Sequence, residues 1–172
     1  AFFGTISRED VLFRFLAIFL LLLTSLFFIE LQEPIQQKLI DPFTSSLARA
    51  SVIIIMLFDE NVANHGRIIQ STVNFFAISI EAGCNGVEAA IVLFSAILAF
   101  PAKIIHKAIA VILGLITIQI LNVARIISLF YLGQWNMDLF SWMHLYLWPV
   151  LIMLDVLLVF LIYLNFLSRS KE

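Results

Sequence analysis

The sequence predicts an all-α integral membrane bundle of four transmembrane helices, with an interfacial helix and a small β-hairpin on the outer side. Three observations carry this. Of 172 residues, 62% are hydrophobic and 13% charged, against about 45–50% and about 25% in soluble domains. Mean hydropathy is +1.06. The apolar residues gather into four runs approaching or exceeding the roughly 20 residues a bilayer crossing takes. Prolines and glycines are scattered, with no repeat, low-complexity tract or linker, so one transmembrane domain covers residues 1–172.

The first span is expected from about Val11 to Ile29, residues 11–29. Arg8 and Arg14 precede or enter it, as in a signal peptide, but Glu30-Leu31-Gln32-Glu33 follows with no small-residue cleavage site. An uncleaved anchor is therefore expected. Residues 30–81 form an outer insert. Within it Leu47–Phe58 is apolar for only about 12 residues, short for a crossing, and should lie at the interface with Arg49 among the headgroups. Arg67–Thr72 and Phe75–Ile80 alternate or are β-branched around Asn74 and predict the hairpin.

The second span, about 84–101, ends at Pro101, whose ring removes a backbone donor. The third, about 104–132, is longer than a crossing needs and should tilt or project. The fourth is about 145–167. Lys103, Lys107, Arg169 and Lys171 then share a side with Arg8 and Arg14, and the bias of basic residues makes that side cytoplasmic. Gly133–Trp142 carries Asp138 and no Lys or Arg, as an outer loop should. The sequence thus predicts a multi-pass protein of a bacterial cytoplasmic (inner) membrane, with both termini cytoplasmic. The net charge of -2 and the lack of a basic run argue against nucleic acid as a partner.

Chemistry concentrates at one membrane face. Cys84 is the only cysteine, so no intramolecular disulfide is available. It sits in Glu81-Ala82-Gly83-Cys84-Asn85-Gly86, a polar, small-residue setting unlike the apolar surroundings of a filler thiol. At a helix N-terminus the dipole would favour thiolate, the reactive form. Arg125 lies inside the third span, where a guanidinium costs on the order of 2.5–3.5 kcal/mol on insertion scales and must face a partner or a wet cavity. Asn122, one turn earlier, can hold it, and Gln119 and Ser128 widen the polar strip. Glu88, about one turn inside the second span, is a natural ion-pair partner for Arg125. Glu81 reads as structural or orienting. His144 opens the fourth span within Trp142-Met143-His144-Leu145-Tyr146-Leu147-Trp148, an interfacial aromatic belt where histidine is as often a hydrogen-bonder as a catalyst.

Alternating helix direction brings Cys84, Arg125 and His144 to the same face whichever way the bundle is inserted. His65 and His106 stand apart, in a polar loop and at the opposite face. No His/Cys/carboxylate set has metal-ligand spacing, and no phosphate loop or hydrolase motif is present, so neither metal nor cofactor is expected.

These residues resemble the exosortase/archaeosortase family of membrane transpeptidases. Glu81–Gly86 matches its cysteine region, Asn122-Val123-Ala124-Arg125-Ile126 its N-x-x-R element, and His144 falls where its third residue is expected. The match covers about residues 65–165. Many members have more spans, and many have a basic or small residue where Glu88 stands. The short chain, Cys84–Ala89 and the run Ile126–Trp135 look most like the exosortase H branch.

The resemblance implies a cysteine protease/transpeptidase whose active site faces the periplasm. Its substrates would be exported proteins with a tripartite C-terminal tail: a short motif, a membrane helix and a basic end. In the H branch the motif is Pro-Thr-Leu-like with a following Trp-Gly. Cys84 would be the nucleophile and His144 the general acid/base. Arg125 would stabilise the oxyanion or substrate, aided by N–H groups near Gly86, although the last two roles are open to exchange. The new C-terminus would pass to an unknown amine acceptor. Two alternatives stay open from the residues alone. One is a non-enzymatic transporter or assembly subunit with an intramembrane Arg125–Glu88 pair. The other is a cysteine acyltransferase or simple membrane protease.

Overall fold

The computed structural model describes residues 8–169; Lys171, used in the charge argument above, lies outside them. Helix α1 (Arg8–Glu30) leads into a second helical run: α2 (Glu33–Ile35), a π-helical turn (Gln36–Ile40) and α3 (Asp41–Ile55). Strands β1 (Val62–His65), β2 (Ile68–Ser71) and β3 (Ala77–Ser79) follow. Then come α4 (Val87–Ala99), α5 (Ile104–Trp135), α6 (Met137–Trp142), a second π turn (Met143–Leu147) and α7 (Trp148–Arg169).

Three helical stretches are long and apolar enough to cross a membrane: Glu9–Glu30, Ile104–Trp135 and Met137–Arg169. This makes a multi-pass bundle, but the expected second span is corrected. Helix α4 has only 13 residues, about 20 Å at 1.5 Å per residue. It starts three residues after Cys84, because Asn85 and Gly86 form a turn. It stops at Ala99, because Phe100 is extended (ψ 133), the conformation a following proline imposes. The third span runs three residues further than predicted. The fourth begins at Met137, where the Asn136 side chain accepts the Asp138 and Leu139 N–H groups as an N-cap.

The outer insert is also corrected. The interfacial helix does not begin at Leu47; it is the end of a helical run from Glu33, and residues 56–58 form a turn. The hairpin stands, with Ile68 opposite Ser79 and Gln70 opposite Ala77, but β1 pairs with the other edge of β2 to give an antiparallel sheet of three strands.

Both π turns have the same cause. Pro42 and Pro149 offer no N–H and would push a ring against the carbonyl four residues back. The chain answers with one wider turn: the Asp41 N–H reaches Gln36 O, and the Trp148 N–H reaches Met143 O.

Two apolar cores divide the molecule. One joins Leu47, Val52 and Ile55 of α3 to Val62 and Ile69 of the sheet and to Ile126 and Phe130 of α5. The other joins Leu93 and Ile97 of α4 to Ile118 of α5 and to Ile152 and Val156 of α7. Phe15, Phe100, Phe160 and Tyr163 cluster edge-on and stacked, and His106 meets Phe166 at 5.4 Å. These contacts gather the start of α1, the end of α4, the start of α5 and the end of α7. The sheet and the Cys84 turn sit at the other end, where Asn74 Nδ2 donates to Gln134 Oε1 at 2.9 Å.

Candidate active site

The turn Glu81–Gly86 carries the cysteine, and its neighbours fix its shape. The Cys84 N–H donates to Glu81 O, closing the turn. The Asn85 side chain is fully buried; its Oδ1 accepts the Val87 N–H, and its Nδ2 donates to Thr44 Oγ1 of α3 at 3.1 Å. Gly86 then opens α4 with φ +78, and a Cβ there would lie 3.1 Å from Gln119 Nε2 and 3.2 Å from Asn122 Nδ2. Only glycine meets both demands, a left-handed backbone and close approach to α5.

Helix α5 brings up Arg125, only 5% exposed. Its Nη2 donates to Cys84 Sγ at 3.4 Å and its Nη1 to Gly83 O at 3.5 Å. His144, in the π turn, places Nε2 4.0 Å from the same sulfur. Phe140, one turn before it, stacks on the imidazole with centroids 5.7 Å apart and planes 7° from parallel. Three side chains from separate elements therefore meet around one sulfur, as their helix directions predicted.

Other expectations change. Arg125 forms no ion pair with Glu88; among the described residues the only ion pairs are those of Arg67 with Asp41 and with Glu81. Glu81 also accepts from Ser79 Oγ at 2.7 Å, so it braces the cysteine turn against β3 and the turn between β1 and β2. Asn122 does not hold the guanidinium: its fully buried amide, like Arg125 Nε and His144 Nδ1, has no hydrogen-bond partner among the described residues. Nor does Cys84 cap a helix. It precedes the Gly86 cap by two residues.

Sequence reasoning passed over Thr44, Phe140 and Asp155, the last a carboxyl within α7. Pro149, five residues after His144, was the one available signal for the π turn. Among the described residues no three His, Cys, Asp or Glu side chains converge as a metal site.

A multi-pass helical bundle with a thiol, a guanidinium and an imidazole clustered at one end defines a membrane protein with a thiol centre. A family model described as transmembrane exosortase matches residues 5–162, and the chain belongs to that family. In general terms it is a membrane transpeptidase that works within a lipid bilayer on exported proteins. No curated protein and no solved structure matches the chain.

Proposed function

We propose that the protein cleaves C-terminal sorting signals of exported proteins through Cys84 and transfers the new C-terminus to an amine acceptor. The observation that supports this most is the sulfur itself, held between Arg125 Nη2 at 3.4 Å and His144 Nε2 at 4.0 Å. Nε2 takes the thiol proton as Cys84 Sγ bonds to the scissile carbonyl carbon. The Arg125 guanidinium, already aimed at this spot, stabilises the oxygen that gains negative charge. Collapse breaks the C–N bond, the leaving amine takes the proton from His144, and a thioester remains on Cys84. An acceptor amine then attacks that thioester, giving its proton to His144, and the thiol is restored.

In this reading the cysteine end faces the periplasm and both termini are cytoplasmic. Helix α4 completes a fourth crossing, with extended residues 100–103 and the Glu81–Gly86 turn making up the depth its 13 residues lack. A substrate helix in the bilayer would present its peptide junction at the depth of Cys84.

The test is co-expression with an exported reporter carrying a motif, a membrane helix and a basic tail, read by mass spectrometry. Cys84→Ala should abolish processing with enzyme abundance unchanged; processing at the wild-type level by that variant would remove the nucleophile. Recovery of an acceptor-linked C-terminus, rather than a free carboxylate, separates transfer from hydrolysis.

A further inference from the structure

A cavity of about 490 Å³ opens between α3 and β1, away from Cys84, lined by Ser45, Ser46, Arg49, Val52, Ile53, Met56 and Asn64. Ser45, Arg49, Val52 and Met56 follow one another at helical spacing, so one stripe of α3 forms its wall. The lining is chemically split. Arg49 and the two serines form a polar side, Val52, Ile53 and Met56 an apolar one, and no acidic residue contributes.

Arg49 is exposed, and among the described residues it has neither an ion pair nor a hydrogen bond. By contrast Arg67, on the same side of the molecule, is engaged by two carboxylates. A guanidinium with five unused donors, flanked by hydroxyls, matches the geometry of phosphate oxygens.

We infer that this cavity binds the phosphate of an anionic phospholipid, with Arg49 supplying the charge and α3 the apolar contact for the start of an acyl chain. The apolar side decides for a lipid over a free phosphate. Ile53 and Met56 are half exposed, and beyond them Leu57 and Phe58 are 81% and 64% exposed, a contiguous surface that a headgroup-level helix buries among acyl chains.

Thr44, the partner of Asn85 in the cysteine turn, lies on the same helix about 110° round from this stripe. Lipid held by α3 thus bears on the depth of the helix that anchors the turn. The inference concerns binding alone and stands whether or not Cys84 is the nucleophile.

Detergent-purified full-length protein is offered phosphatidylglycerol, phosphatidylcholine or inorganic phosphate separately, and bound ligand is titrated by native mass spectrometry. Wild type should retain phosphatidylglycerol preferentially. Arg49→Glu and Arg49→Gln should each weaken that retention about tenfold, the scale of one charge-assisted contact. Lys38→Glu, an exposed basic position on the preceding π turn and outside the cavity, should leave retention unchanged and serve as the charge control. Equal retention of the two lipids overturns the inference. So does wild-type retention by both Arg49 variants, equal weakening by Lys38→Glu, or filling of the site by inorganic phosphate alone.

Discussion

The Cys84 sulfur lies against one cation, Arg125 Nη2 at 3.4 Å, with the carboxylates of Glu81 and Glu88 close by in the chain. The neighbouring charges then predict opposite effects of two neutralising substitutions. Glu88→Gln removes a charge that raises the thiol and should shift the pH profile of Cys84 alkylation to lower pH. Arg125→Gln removes the charge that lowers it and should shift that profile upward. Shifts of the same sign in both variants would show that packing, not charge, controls the sulfur. Processing of a substrate is the decisive assay for the role of Cys84.

At the scale of elements, two backbone devices hold the site. The first is the π turn before Pro149, which sets the direction of His144. In a regular helix each residue advances by about 100°, so closing the wider turn would swing the imidazole away from Cys84 Sγ. Pro149→Ala restores the missing N–H and lets the turn close. Processing should fall by roughly 10²-fold, the cost of misplacing a reacting group by about 1 Å, while thermal stability holds or rises. Unchanged processing would mean that the imidazole direction is set elsewhere, by Phe140 or the surrounding belt. The second device is Gly86. Gly86→Ala should destabilise the protein by about 1–2 kcal/mol from the left-handed backbone alone, measured as a lower melting temperature in detergent. Retained stability would show that the turn relaxes away from α5.

For the whole molecule the path of α4 sets the topology. Helix α5 is about 48 Å long by helical rise, more than enough to cross, whereas α4 alone falls short of the roughly 30 Å hydrocarbon core. If α4 crosses, Gly66 in the sheet and Ala102 after α4 lie on opposite sides of the membrane. A membrane-impermeant label applied to single-cysteine variants at these positions, in a Cys84→Ala background, should therefore reach Gly66 from the periplasm and Ala102 only after the membrane is opened. Labelling of both from outside would make α4 a re-entrant helix and reverse α5.

The membrane bundle could be read from composition and run length, because lipid demands continuous apolar helices and the chain supplies them. The three clustered side chains could be read too, because helices that alternate in direction return to the same face. The hairpin strands followed from β-branched alternation, but Val62–His65 is too short and too polar to announce itself as a strand. Its pairing is fixed by β2 and by the burial of Val62 against α3 and α5. The helical run from Glu33 was hidden by Pro34, Pro42 and several polar residues, which read as loop. Pro34 falls in its first turn and the π turn absorbs Pro42. The amino-acid order thus determined which residues enter the bilayer and which chemical groups arrive at one end of it. Tertiary packing alone decided that Glu88 forms no ion pair with Arg125 and that Asn85 is tied to Thr44. Those outcomes depend on distances of a few ångströms between segments far apart in the chain, and no local pattern encodes such distances.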